Sequence, residues 1–184
     1  MEVKNIKSLK TLTSIVLLLL LLSLLSGCIE LSTDDNNVND SDGGEDFTFT
    51  VINGTVKRLS DYLGRIVIMD MWAISCEPCQ YQMLELEKVY ENYSRGDLEI
   101  ISINVAIYET SQQIIDFIEV FKEFGYELSW VFGNDDGSIW EEYQMPRGGI
   151  PTIYIFDKNG NIYYSEESYH PYSTLVEKID ELLE

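Results

Sequence analysis

The sequence has few of the residue types that bind nucleic acids or metal ions. Its 184 residues include one histidine, and 12 lysines and arginines stand against 32 aspartates and glutamates, which gives a formal net charge of −20. Binding to nucleic-acid phosphates requires clustered Lys and Arg, so this charge argues against a nucleic-acid partner. A zinc site needs about four ligands. The sequence has three cysteines and a single histidine, His170, which lies nearly a hundred residues after the last cysteine, so a zinc site is not favoured.

The sequence also lacks an apolar run long enough to cross a membrane comfortably. Ile15–Leu25 is apolar except for Ser23, and it follows the basic residues Lys4, Lys7 and Lys10. A helix of this length rises only about 16 Å, whereas the hydrocarbon core of a bilayer is about 30 Å thick. A basic start followed by a short apolar run is typical of a secretory signal peptide.

The residues that follow this run indicate a lipid anchor. Leu25-Ser26-Gly27-Cys28 resembles the lipobox of lipoproteins, which implies that residues 1–27 are removed and that Cys28 carries lipid. The alternative is an uncleaved signal anchor with an incidental cysteine. Residues 28–46 are acidic and rich in Gly, Ser and Asn, so we predict that the lipidated cysteine begins a flexible tether.

The periodicity of residues 47–184 predicts one α/β domain. Phe47–Val51 alternates apolar with polar residues and precedes Asn53-Gly54, which predicts an N-terminal β-hairpin. Ile66–Trp72 is nearly continuous apolar, which suits a central strand that is buried on both faces, and Leu98–Val105 is predicted as the next buried strand. Helical patterns follow both predicted strands, and a further hairpin and a helix end the sequence. We therefore expect a central mixed β-sheet flanked by helices.

Cys76 and Cys79 lie three residues apart where a predicted strand gives way to a helix. The N–H groups and the dipole at a helix N-terminus favour a thiolate, so Cys76 is the predicted attacking sulfur. Cys79 begins an apolar series that runs to Tyr93 at helical spacing, so we expect it to be shielded and to react second. An inert structural disulfide is the alternative, but so short a loop constrains little unfolded-chain entropy.

These motifs resemble those of one protein family. Asp70–Cys79, DMWAISCEPC, resembles the active-site stretch of thioredoxins, and Phe47–Leu63 and Gly149–Thr152 resemble the TlpA/ResA-like branch of that superfamily. Members of the branch are membrane-tethered, extracytoplasmic thiol-disulfide proteins, several of which serve cytochrome c maturation. The resemblance implies a thioredoxin-like fold over Phe47–Glu184 and a redox-active Cys76–Cys79 disulfide in place of a bound cofactor or metal.

The resemblance also implies a set of substrate-binding residues. It predicts a cis Ile150–Pro151 bond that faces the cysteines, with the Ile150 backbone pairing to a substrate strand. Trp72 is expected to pack behind the site. Glu77 and Pro78, which lie between the two cysteines, complete this set and resemble the corresponding residues of reducing members of the branch.

Asp70 is the one carboxylate in the first apolar run. Burial of a carboxyl raises its pKa, and such a group could accept the proton of Cys79 as that thiol attacks a mixed disulfide. The buried aspartate of thioredoxin occupies the same position, although Asp70 could instead be solvated at a strand end. Some members of the branch have a functional glutamate where this sequence has Gln82, a role that glutamine does not take over. His170 is predicted to be solvated in a loop.

The predicted function is that of an extracytoplasmic, lipid-anchored thiol-disulfide oxidoreductase. It would reduce disulfides of exported proteins through Cys76 and Cys79, with electrons from a membrane thiol donor. A thiol peroxidase is one alternative, but the P-x-x-x-T-x-x-C pattern is absent before Cys76. A copper-handling thioredoxin-like protein is another, for which His170 is the only candidate histidine ligand.

Overall fold

The computed structural model describes residues 46–184. The predicted signal peptide, Cys28 and all but the last residue of the predicted tether lie outside the described residues. The strands are β1 (Thr48–Val51), β2 (Val56–Arg58), β3 (Ile66–Trp72), β4 (Leu98–Asn104), β5 (Val131–Asn134), β6 (Thr152–Phe156) and β7 (Ile162–Glu166). The helices are α1 (Glu77–Asn92), α2 (Ser111–Glu123), α3 (Ser138–Tyr143) and α4 (Tyr172–Leu183). In this part of the chain no helix has the length and apolar character needed to span a membrane.

All seven strands form one mixed sheet in the order β2-β1-β5-β4-β3-β6-β7. Strands β3, β4 and β5 run parallel, whereas β6 is antiparallel to β3 and β1 is antiparallel to β5. The outer strands β2 and β7 each form an antiparallel hairpin with the neighbour that directly precedes them in sequence. The predicted mixed sheet and the predicted N-terminal hairpin are both confirmed.

The central strands β3 and β4 are buried along their whole length. Helices and loops cover both faces of the sheet, so these strands need apolar residues at consecutive positions rather than at alternate ones. Their parallel register places Ile66 beside Leu98 and Asp70 beside Ser102. The one acidic residue of β3 therefore lies next to a hydroxyl of the neighbouring strand.

The two faces of the sheet support separate apolar clusters. On one face, Ile68 and Trp72 of β3 pack with residues of α1, α2 and α4, among them Cys79. On the other face, Met69 and Met71 pack with the N-terminal hairpin and α3. Since side chains alternate along a strand, Asp70 points to the same face as Ile68 and Trp72, which is the face covered by α1. The fold thus places the acidic side chain on the helix side that carries the cysteines.

A glycine allows the N-terminal hairpin to join the sheet. Gly133 of β5 pairs with Val51 of β1. A Cβ atom at Gly133 would lie 2.5 Å from the Phe49 ring. The absence of a side chain at this position lets Phe49 of β1 pack closely on β5.

Candidate active site

Cys76 and Cys79 form a disulfide at the start of α1. Cys76 is the N-cap residue, and its Sγ accepts a hydrogen bond of 3.2 Å from the backbone N–H of Cys79. Its carbonyl oxygen accepts from the N–H of Gln80 at 3.2 Å. Cys76 is partly exposed, whereas Cys79 is fully buried. The expectation that Cys79 is the shielded sulfur is confirmed, and Cys76 is the sulfur that a partner can reach.

The loop before β6 faces the cysteine pair. The Ile150–Pro151 peptide bond is cis, as predicted. The carbonyl oxygen of Ile150 lies 3.7 Å from the Sγ of Cys76. Thr152 Oγ1 donates a hydrogen bond of 2.7 Å to the Gly149 carbonyl, which closes the loop on itself. This arrangement brings the backbone of Ile150 next to the accessible sulfur.

The remaining residues of the predicted substrate-binding set differ in exposure. Glu77 and Pro78 are exposed beside Cys76. Trp72 has no exposed surface, and its ring packs 5.1 Å from that of Phe117 by centroid distance. It therefore packs behind the site, as expected, but it has no surface with which to contact a substrate, because strand β3 lies in the middle of the sheet.

Asp70 is completely buried in a small polar group on the α1 side of the sheet. The Ser102 hydroxyl donates to Asp70 Oδ2 at 3.0 Å, and the indole N–H of Trp130 donates to the Ser102 hydroxyl at 2.9 Å. Burial raises the pKa of Asp70 to about 7, against a smaller lowering by the Ser102 hydrogen bond. Among the described residues, no hydrogen-bond partner contacts Asp70 Oδ1. Because Ser102 already donates to Oδ2, Oδ1 is the oxygen that is available to a proton.

Glu109 is a site residue that sequence reasoning missed. Its carboxylate accepts hydrogen bonds from the Ile74 backbone N–H at 2.9 Å and from the Asn104 side-chain amide at 2.6 Å. The side-chain amide of Gln80 donates to the Ile74 carbonyl at 3.0 Å. The turn before Cys76 is thus held from both sides. One signal for this contact was available in the sequence. Asn104 is a polar residue at the end of a predicted buried strand, where it lies beside the end of β3 and binds Glu109.

His170 is buried, so the prediction that it is solvated was wrong. Only 2% of its surface is exposed, and its Nε2 lies 3.0 Å from the Tyr164 hydroxyl. Gln82 is also buried and forms two hydrogen bonds to the His170 backbone, accepting from its N–H at 2.7 Å and donating to its carbonyl at 3.1 Å. Gln82 therefore anchors the segment that enters α4. Within residues 46–184 no cluster of three or more His, Cys, Asp or Glu side chains is arranged to hold a metal ion.

A family model described as the AhpC/TSA family matches residues 42–165, which is more than half of the chain. The chain belongs to this family. Its relatives include the thiol-disulfide oxidoreductase ResA of Geobacillus kaustophilus (strain HTA426), with 32% identity over 118 residues. That match covers 64% of this chain and 63% of the relative. The thioredoxin-like protein YneN of Bacillus subtilis (strain 168) is 29% identical over 118 residues, covering 64% of this chain and 65% of the relative.

These matches span a little under two thirds of each relative's own length. They confirm the resemblance to the TlpA/ResA-like branch of the thioredoxin superfamily.

Solved structures give the same fold. The crystal structure of a thioredoxin-like protein from Aeropyrum pernix has a TM-score of 0.62 and 25% identity, covering 74% of this chain and 89% of that one. A putative thiol:disulfide interchange protein DsbE from Chlorobium tepidum has a TM-score of 0.62 and 22% identity, covering 77% and 96%. The predicted thioredoxin-like fold is confirmed.

Proposed function

We propose that the protein is a thiol-disulfide oxidoreductase that exchanges disulfides with other polypeptides through Cys76 and Cys79. The observation that carries this proposal is the pairing of these two sulfurs at the N-terminus of α1, directly opposite the Ile150 carbonyl. One sulfur is accessible and the other is buried behind it. Such an asymmetry suits a reaction in which the two sulfurs act in turn.

In the reductive direction, which we propose, the two sulfurs act in this order. The Cys76 thiolate attacks one sulfur of a substrate disulfide, so that a mixed disulfide forms and the other substrate sulfur leaves as a thiolate. Cys79 then loses its proton and attacks the Cys76 sulfur, which releases the second substrate thiolate and forms the Cys76–Cys79 disulfide. The substrate gains two electrons in this cycle. A thiol donor must return two electrons to the protein, and we propose that a membrane protein supplies them.

Asp70 is the group that we propose as the acceptor of the Cys79 proton. It is on the face of β3 that is covered by α1, and its raised pKa of about 7 lets it bind and release a proton near neutral pH. Oδ1 is free of other partners among the described residues. The Ser102 hydroxyl donates its hydrogen bond to Oδ2, the other carboxyl oxygen.

The Ile150–Pro151 loop is the proposed contact for the substrate backbone. Ile150 is partly exposed and its carbonyl lies beside Cys76, so an extended segment can pair with it while its own cysteine meets the Cys76 sulfur. Glu77 and Pro78 directly follow Cys76, are exposed and complete the contact surface. The Glu-Pro pair between the cysteines resembles reducing members of the branch, which supports the reductive direction.

We further propose that the protein acts outside the cytoplasm, anchored by lipid on Cys28. The basic residues at the start of the sequence, the short apolar run and the lipobox resemblance support this proposal. Its substrates are then disulfides of exported proteins, and the ResA-like branch suggests cytochrome c apoproteins as one class. Stable retention needs at least two lipid chains or a second membrane contact, because one chain binds only marginally.

A turnover assay tests the proposed function. The wild-type protein, Cys76→Ser and Cys79→Ser are each added to a disulfide-bonded polypeptide in dithiothreitol, and the appearance of free substrate thiols is measured. We expect the wild type to accelerate reduction and Cys76→Ser to be inactive. A wild-type protein that leaves the rate at its dithiothreitol background would contradict the proposal.

A further inference from the structure

Exposed apolar side chains form a groove between α1 and the end of α2. Its apolar walls are Tyr81 and Leu84 of α1, Val120, Phe121 and Phe124 from α2 and its C-terminal cap, and Tyr126. Two polar residues of α1, Glu77 and Gln80, complete the lining. The groove has a volume of about 420 Å³. We call it the Tyr81 groove.

Phe121 at the base of the Tyr81 groove packs against the core, whereas three of the other apolar side chains are largely exposed. Phe124 is 77% exposed, Tyr81 56% and Val120 48%. Single exposed apolar residues are common on protein surfaces, but a contiguous group of them marks an interaction surface. The composition of the chain is strongly acidic, with a net charge of −20. An apolar groove on such a molecule favours binding of an apolar group from a partner.

The groove begins at the redox site. Glu77, which directly follows Cys76, lines the Tyr81 groove and also a second depression formed with Pro78, Tyr81 and Tyr169. From Glu77 to Leu84 the helix rises about 10 Å, which an extended peptide covers in about three residues. A polypeptide whose cysteine meets Cys76 therefore reaches into the groove within about three residues of that cysteine.

The charge around the groove is negative. Glu77 lines it, and Glu123 and Glu127, both exposed, directly adjoin the groove residues Phe124 and Tyr126 in sequence. The one nearby positive charge in this stretch, that of Lys122, is balanced by Glu119, because Lys122 Nζ lies 3.9 Å from the Glu119 carboxylate on the same helix. A partner segment with basic residues is attracted to this rim, and an acidic segment is repelled.

We propose that the Tyr81 groove binds a large apolar side chain of the substrate, located about three residues from the cysteine that Cys76 attacks, in a segment that also carries basic residues. The proposal rests on the proposed disulfide exchange and assigns its substrate class: polypeptide disulfides with apolar and basic neighbours, in preference to small or acidic disulfides. In this proposal Cys76 attacks the substrate disulfide, and the groove determines which substrates bind well.

Matched peptides test this selection. Two disulfide-linked peptide dimers differ only in Phe or Ser at the third position from the cysteine, and the second-order rate constant for their reduction by the reduced protein is measured for each. We expect the Phe peptide to react about tenfold faster, because burial of one large apolar side chain is worth at least that factor. In a second pair, Arg or Glu stands beside the Phe. The Arg peptide should be reduced with the larger rate constant, and the difference between the two rate constants should shrink at high salt.

Three variants locate the effect. Phe124→Ser should lower the ratio of the rate constants for the Phe and Ser peptides to near one. Phe124→Leu, which keeps an apolar side chain, should retain most of the wild-type ratio. Leu63→Ser is the matched control, since Leu63 is 55% exposed and lies away from the groove, so its preference should equal that of the wild type. Both positions are on the surface, and thermal unfolding of each variant checks that it is folded.

The outcomes separate the two proposals. If the wild type reduces glutathione disulfide and both peptides, but with equal rates for Phe and Ser, the groove proposal is wrong and the proposed function stands. The groove proposal is also wrong if Phe124→Ser and Leu63→Ser show the same preference. If the wild type reduces none of these disulfides, the proposed function fails, and the groove proposal fails with it.

Discussion

Replacing Asp70 by asparagine should stabilise the oxidised protein at neutral and higher pH. Burial raises the pKa of Asp70 from 3.8 to about 7. A group whose folded-state pKa lies above its unfolded value binds more protons in the native state between the two values, so the stability of the wild type falls as the pH rises from about 4 to about 7. Asparagine cannot ionise, and the variant lacks this loss.

The size of the effect follows from the two pKa values. Each pKa unit corresponds to about 1.4 kcal/mol, so ionisation of Asp70 costs the native state about 4 kcal/mol at pH 8. The asparagine oxygen can still accept from Ser102, but its amide then lies where Asp70 Oδ1 has no partner among residues 46–184. A buried unpaired amide costs about 1–3 kcal/mol. We expect a net gain of about 1–3 kcal/mol at pH 8 and little change at pH 5.

Urea unfolding of both oxidised proteins at pH 5 and pH 8 measures this difference. In the oxidised state the two cysteines do not titrate, and all other groups are common to both proteins. The stability gap between Asp70→Asn and wild type should widen by about 2–3 kcal/mol from pH 5 to pH 8. Asp116→Asn, an exposed change on α2, is the control and should show no such widening. A constant gap for Asp70→Asn would refute this reasoning. If Asp70 also accepts the Cys79 proton, Asp70→Asn should exchange disulfides more slowly than the wild type, and exchange at the wild-type rate would contradict that role.

The other predictions concern the cysteines and the loop. Alkylation of the reduced protein at mildly acidic pH should label Cys76 well before Cys79, and mass spectrometry showing equal labelling would contradict the assigned order. Pro151→Ala should slow resolution of a mixed disulfide more than it lowers the unfolding free energy, and stopped-flow kinetics together with urea unfolding would compare the two effects. Cys28→Ala should abolish lipid attachment to the native protein, whereas an intact, unmodified N-terminal segment in the mature protein would refute the anchor.

Much of the fold could be predicted because its strands and helices have regular local patterns. Ile66–Trp72 was predicted as a buried strand from its continuous apolar character, and β3 has the same bounds. The strand order could not be predicted in this way. The N-terminal hairpin joins the sheet at β5, where Gly133 leaves room for Phe49, and that contact connects residues more than eighty positions apart. Local periodicity contains no information about such pairings.

The site was predictable where its residues are close in sequence. Cys76 and Cys79 lie within one helical turn, so their chemistry could be derived from spacing and context. Glu109 was missed because its role depends on the adjacent ends of β3 and β4, which bring it to the Ile74 backbone. His170 was misjudged because a histidine before a proline suggests a solvated loop. In the fold, Gln82 of α1 binds the His170 backbone and the ring lies buried against the Tyr164 hydroxyl.

The central claim is that Cys76 attacks a substrate disulfide and that Cys79 resolves the product. The most direct test is to mix reduced Cys79→Ser with a disulfide-bonded exported polypeptide and to measure covalent adducts by mass spectrometry. We predict that a mixed disulfide through Cys76 accumulates with Cys79→Ser, is absent with Cys76→Ser and is short-lived with the wild type. Equal adduct formation by both serine variants, or no adduct with Cys79→Ser, would contradict the claim.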